Sequence, residues 1–251
     1  MKLRMFATAA VVAAALSTPA LAQSATGSVG VSASQVEVEV FGFEGDGQTY
    51  AIDGSVAFKA SEAWTVTLQG SGATSSSDLG DDETFAAGAA LTYAGSDWRV
   101  GPAVTYSDLG SEGLWTVGGV AQKYFDTVTL AGAVSYGNID DVDADIWSFG
   151  GEARFFVSDN FRVDAGVTYA SADVAGTDVD GWSLGLGGEY QFAGTPWSLT
   201  GGYTHATVDD ADLSVDTFTI GVRYSFGGDL KARDRSGANL GAGSNPFASA
   251  F

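Results

Sequence analysis

No cysteine occurs in the 251 residues. Disulfide frameworks, Cys-ligated zinc, thiol nucleophiles and lipid attachment at a signal-peptide cysteine are therefore excluded. Basic residues are scarce, with 11 Lys and Arg against 31 Asp and Glu and a formal net charge of −20. That balance excludes a nucleic-acid partner, whose phosphates require a basic surface. Histidine occurs once, as His205, so any imidazole chemistry has one candidate. Only four prolines are present and no Pro- or Ser-rich linker divides the chain, which predicts one folded domain. No apolar run has the length of a membrane helix. The acidic excess does not mean disorder, because aromatics make up 12% of the chain and strand formers are abundant.

The N-terminus has the organisation of an export signal. Lys2 and Arg4 form a basic start, Met5 to Leu16 a short apolar core, and Ala20-Leu21-Ala22 an A-x-A cleavage site. The predicted division is a signal peptide at 1–22, a barrel at 23–226 and a periplasmic tail at 227–251. Loss of Lys2 and Arg4 leaves 9 basic against 31 acidic residues, a net −22.

What the chain has is paired aromatics. Tyr50/Phe58, Phe85/Tyr93, Trp98/Tyr106, Trp147/Phe155, Phe161/Tyr169, Trp182/Tyr190 and Phe218/Phe226 are each eight residues apart. Side chains alternate along a strand, so an even spacing puts both rings on one face. Eight strand residues span roughly 26 Å, or about 20 Å along the normal at a tilt of about 40°. This nearly matches an outer-membrane apolar band with an aromatic girdle at each interface. The residues between the rings on that face are Val, Leu, Ile, Ala and Gly; the opposite face is Ser, Thr, Gly, Ala and scattered charge. The pattern predicts an all-β, up-and-down antiparallel transmembrane barrel.

Units of about 30 to 36 residues repeat, as in Asp145–Asp173 and Asp180–Asp210. Each holds a strand, a tight turn, a second strand and a longer polar loop. Short turns are expected at Ser61–Ala63, Gly95–Asp97, Phe125–Thr127, Ser158–Asn160 and Ala193–Pro196. Longer loops are expected near Glu44–Gly47, Ser75–Glu83, Asp108–Gly113, Asn138–Asp145, Asp173–Asp180 and Val208–Asp216. Propellers and solenoids share such periods but do not explain paired rings on one face. The count is about twelve strands, with ten possible. The opposite parity of Val29/Val31/Ala33 and Val36/Val38/Val40 predicts a bulge near Ser34–Gln35 or two separate segments. Pro102 predicts a second bulge, because a closed barrel has no edge to hide it.

The longer loops are acidic and contain no Lys or Arg. They read either as a solvated surface or as carboxylates bridged by divalent cations to lipopolysaccharide phosphates. The run Asp140–Asp145 lacks the glycine and terminal Glu of an EF-hand, so no specific metal site is expected.

The last strand, TFTIGVRYSF, places Phe218, Ile220, Val222, Tyr224 and Phe226 on one face. It resembles the C-terminal insertion signal of bacterial outer-membrane proteins, and the chain as a whole resembles porin-like outer-membrane barrels. That resemblance implies outer-membrane localisation, insertion by the barrel-assembly machinery, contact with outer-membrane lipid and lipopolysaccharide, no cofactor and no enzymatic reaction. One departure is that 25 residues follow Phe226. They read as a disordered tail, or alternatively as a partial plug or a cell-wall contact.

The face opposite the aromatics carries Asp53, Lys59, Arg99, Glu152, Arg154, Arg162, Asp164, Glu189 and Arg223. If the apolar face meets lipid, these charges line a lumen. Small residues between them leave the interior under-filled, which predicts a narrow water-filled pore. His205 shares the apolar face with Trp197, Leu199 and Tyr203. It reads as a girdle residue, with Thr207 and Ser214 as weak candidate nucleophiles and no orienting Asn or Glu in view. The leading expectation is passive diffusion of small hydrophilic solutes, favouring cations. A closed structural or surface-interaction barrel is the alternative, and a lipid-modifying enzyme using His205 is the third.

Overall fold

The computed structural model describes residues 25–77, 80–108, 113–139, 144–174 and 176–241. The predicted signal peptide, residues 242–251 and several acidic loop residues, Asp78, Asp140, Asp141 and Asp143 among them, lie outside these. Twelve strands run in order: β1 (Ala25–Val40), β2 (Phe43–Lys59), β3 (Trp64–Ser77), β4 (Gly80–Ala94), β5 (Trp98–Asp108) and β6 (Gly113–Tyr124). They continue as β7 (Val128–Ile139), β8 (Ala144–Ser158), β9 (Phe161–Val174), β10 (Thr177–Gln191), β11 (Trp197–Val208) and β12 (Leu213–Phe226). Each pairs antiparallel with its sequence neighbours, and β1 pairs with β12 from Gly27↔Phe226 to Val40↔Leu213 to close the barrel. Closure leaves no strand edge unpaired in the lipid, where an unsatisfied backbone group is costly.

The barrel is apolar outside and polar within. Val31, Leu130, Leu186, Leu199, Ile220 and Val222 are exposed on the outer wall, whereas Thr65, Thr67, Thr92, Thr129, Ser198 and Ser225 are buried inside. Two belts of rings ride on the outer wall. At the short-turn end Trp64, Tyr93 and Trp98 pack in sequence at centroid distances of 5.4 and 5.6 Å, and Trp197 meets Tyr224 at 5.2 Å. At the other end Tyr106 meets Trp115 at 5.0 Å, Tyr136 meets Trp147 at 5.1 Å and Tyr203 meets Phe218 at 4.9 Å. Interfacial belts of this kind suit rings with an apolar body and a polar tip.

The short turns fall where the sequence predicts them. The longer loops differ. Glu44–Gly47 lies inside β2, and the β1–β2 turn is at Phe41–Gly42; Asp81, Asp82 and Glu83 are in β4. What reads as loop in the sequence is largely strand prolonged beyond the outer aromatic belt. Neither expected bulge is present. The β1 register runs unbroken from Ala25 to Val40 against β2. Beyond the belt, Glu37 and Glu39 turn outward, and Val36, Val38 and Val40 turn inward opposite Thr217, Val215 and Leu213. The wall there faces water, so apolar side chains go inside without any shift of register. At Pro102 the β4–β5 pairing lapses opposite Leu91 and Thr92, yet Ala90↔Ala103 and Tyr93↔Val100 keep one register. Pro102 still faces Gly119 on its other side. A register shift does occur between Phe156 and Ser158, beside the β8–β9 turn.

Candidate functional site

Alternation along the strands delivers Asp53, Glu152, Arg162, Asp164, Glu189 and Arg223 to one cavity, whereas Arg99 and Arg154 are buried but do not line it. Asp53 on β2 pairs with Arg223 on β12 at 2.7 Å, and Arg223 also donates to Ser28 Oγ at 3.1 Å. Arg162 and Asp164, two apart on β9, pair at 2.8 Å. Glu152 holds Arg154 two residues along β8, at 2.7 Å. Glu189 on β10 accepts from Ser198 Oγ at 2.6 Å and lies 3.9 Å from Arg162. Arg99 donates to Thr92 Oγ1 at 2.8 Å and to Tyr124 Oη at 3.2 Å. Lys59 stands apart from the others, exposed at the short-turn rim. Of the predicted insertion-signal residues, Phe218, Ile220, Val222 and Tyr224 are exposed on the outer wall.

The segment after Phe226 is not disordered where it is described. The chain turns at Gly227 and Gly228, with φ of 83° and 147°. It then forms a one-turn helix, α1 (Leu230–Arg233), capped by Asp229 Oδ1, which accepts from the Ala232 N–H at 2.8 Å. A further turn, Asp234–Ala238, follows and breaks from helical geometry at Gly237. The segment lies within the short-turn end of the lumen. Leu230, Arg233, Asp234, Ala238 and Leu240 are all buried. The expectation of a free tail fails because the segment carries groups that match the lumen wall.

Those groups bond to strands around the ring. Arg233 reaches Glu189 Oε2 at 2.6 Å and also donates to Ser225 Oγ. Asp234 accepts from Arg154 and from Thr129 Oγ1, the latter at 2.7 Å. Backbone carbonyls complete the fit. Gly237 accepts from Thr67 at 2.9 Å, Ala238 from Ser55 at 2.6 Å, and Asn239 from Gln122 at 2.7 Å and Arg154 at 3.1 Å. Leu240 packs with Ala90 and Val120, flanked by Ala103 and Ala133. At the rim, Lys231 pairs with Asp159 at 3.3 Å and Arg235 donates to the Phe125 and Asp126 carbonyls. Gly237 has φ of 89°, and a Cβ there would sit 2.8 Å from the Arg99 guanidinium, so both conformation and space demand glycine.

Above this floor lies a cavity of about 520 Å³. Its wall is mostly Gly, Ser and Thr, with Asp53, Glu152, Asp164 and Glu189 against Arg162, Arg223 and Arg233. Towards the far end the inward side chains become apolar again, with Leu114, Ile139, Ala144 and Ile146 forming a buried cluster.

Sequence reasoning offered a partial plug only as an alternative to a disordered tail, and it did not single out the floor residues Asp234 and Asn239. A signal was present: two glycines, an N-capping Asp and three basic residues in a chain otherwise short of them. It also missed the orienting group of His205. Asp216 stands opposite on β12, with its Oδ1 2.8 Å from His205 Nδ1 and 2.5 Å from the Tyr203 hydroxyl. This cluster is on the outer wall and half-exposed.

Comparison with known proteins separates family from fold. Residues 81–233, more than half of the chain, match the Gram-negative porin family model. No curated protein sequence matches. An outer-membrane channel from Pseudomonas putida F1 superposes with a TM-score of 0.60 at 12% identity, covering 80% of this chain and 96% of its own. The monoaromatic hydrocarbon channel CymD gives 0.53 at 12% identity, covering 80% of this chain and 88% of its own. The translocator domain of autotransporter NalP from Neisseria meningitidis gives 0.51 at 14% identity, covering 89% and 95%. At these identities the likeness is one of fold: a closed outer-membrane barrel. The family match on that barrel makes this chain a member of the Gram-negative porin family, a channel-like protein of the outer membrane.

Proposed function

We propose that the barrel conducts small hydrophilic solutes passively across the outer membrane and favours cations. The observation that carries this is the polar cavity of about 520 Å³ inside a wall of small side chains. Its carboxylates outnumber its guanidinium groups, and the strand extensions above it add Glu37, Glu39, Asp81, Asp82 and Glu83. Field and width together would select solutes, with no chemical step. Export through the signal peptide, insertion by the barrel-assembly machinery and cation bridging of lipopolysaccharide to the acidic rim belong to the same proposal.

Planar-bilayer recording of the full chain tests the proposal. Discrete currents are expected, with a reversal potential in a salt gradient displaced towards the cation value. Anion preference would remove the charge argument. The second reading, a barrel without transport, is favoured by the tail in the lumen, and folded protein that never conducts would establish it.

A further inference from the structure

We infer that residues 230–241 are an intramolecular plug that closes the short-turn end of the lumen, latched by the ion pairs Arg233–Glu189 and Asp234–Arg154. The inference rests on the channel reading and adds its regulation.

Three observations carry it. The segment crosses the lumen, bonding to Ser55 on β2, Thr67 on β3, Arg99 on β5, Thr129 on β7, Arg154 on β8 and Glu189 on β10. It is therefore a floor that bonds to strands on opposite sides of the bore, β2 and β3 facing β8.

The latch can open without stranding a charge. Glu152 remains on Arg154 through two bonds, at 2.7 and 3.1 Å, after Asp234 leaves. Glu189 retains Ser198 at 2.6 Å and Arg162 at 3.9 Å after Arg233 leaves. Removing one partner of a buried pair is costly when the other is left alone, and here it is not. Apart from Leu230 and Leu240 the plug is held by polar contacts, which lumen water can replace. The strand ladders, β1 with β12 included, close the barrel without any residue of the segment.

A hinge is in place. Gly227 and Gly228, with φ of 83° and 147°, and the N-capping Asp229 separate the last paired residue from α1. The plug can swing from this point while Phe226 stays in register with Gly27.

The test uses the full chain in three forms. Arg233→Gln with Asp234→Asn weakens both latches, and its time-averaged conductance should rise at least about threefold over wild type as the open population grows. Ser55→Cys with Ala238→Cys ties the plug to β2, in a protein with no other thiol. That variant should be silent when oxidised and recover when reduced. Ala238→Cys alone reports occupancy without any current. A membrane-impermeant thiol reagent should modify it slowly, and about tenfold faster once both latches are weakened. Equal conductance in all forms, with a thiol as reactive as in unfolded protein, overturns the plug and leaves the channel standing. Absence of current in every form, with latch-dependent labelling, keeps the plug and removes the channel.

Discussion

Along β12, Phe218, Ile220, Val222 and Tyr224 face outward while Thr217, Thr219, Gly221, Arg223 and Ser225 face inward. The two sets share a backbone and differ in what specifies them. An outward residue has only to be apolar, with rings at two heights. An inward residue must meet a particular partner: Arg223 needs Asp53, 170 positions away, and Ser225 meets Arg233. The outer face is specified by a solvent and the inner face by contacts.

The difference predicts opposite responses to the same substitution on adjacent residues. Ile220→Asp places a charge at the centre of a lipid-facing strand, where a basic side chain costs about 2–4 kcal/mol at the midplane and an acidic one somewhat less. Thr219→Asp points the same charge into the polar cavity, on the side of Ser34, whose Oγ lies 2.8 Å from the Thr219 hydroxyl. Ile220→Asp should lose the heat-modifiable folded band on a gel, and Thr219→Asp should keep it. Equal loss in both would mean the two faces are wrongly assigned.

A smaller effect is expected for Arg223→Gln. Asp53 would then face the cavity without its partner, although with 37% of its side chain exposed it can be solvated. Folding should be retained. The reversal potential should move further towards cations, since one positive group is removed from a wall where carboxylates are already in excess. No displacement would show that Arg223 lies outside the conducting path.

The same contrast explains how far the sequence could be read. Period-two alternation recurs along the chain and seven pairs of rings lie eight apart, so strand count, short turns and barrel class were legible. The absent bulge at Ser34–Gln35 was not. The switch from Val31 outward to Val36 inward reflects the change of solvent beyond the aromatic belt, which a pattern alone does not distinguish from a register shift. The strand extensions were hidden for the same reason: Glu44–Gly47 and Asp81–Glu83 have loop composition but bond as strands. The inward charges could be named by parity, yet their pairings could not, because Arg154 with Asp234 and Arg233 with Glu189 join segments 80 and 44 residues apart. Composition also favoured a free tail, since Gly, Ser and Ala offer no apolar core. The tail needs none where a polar wall bonds its backbone carbonyls.

The smallest effect should come from the polar cluster around His205 on the outer wall. His205 has an orienting carboxylate in Asp216, so geometry alone gives it one element of an acid–base pair. A hydrolase would further need a nucleophile, and Asp216 is already shared with the Tyr203 hydroxyl. The ring of His205 lies 5.7 Å from that of Trp182, within the aromatic belt. A half-exposed interfacial pair of this kind is worth little, up to about 1 kcal/mol. His205→Phe should therefore insert and conduct as the wild type does. Mass spectrometry of lipid A and phospholipids should show the same species with either protein. Because the chain has no second histidine, a lipid product lost only in His205→Phe would assign imidazole chemistry to the outer face and end its description as a surface specified by solvent alone.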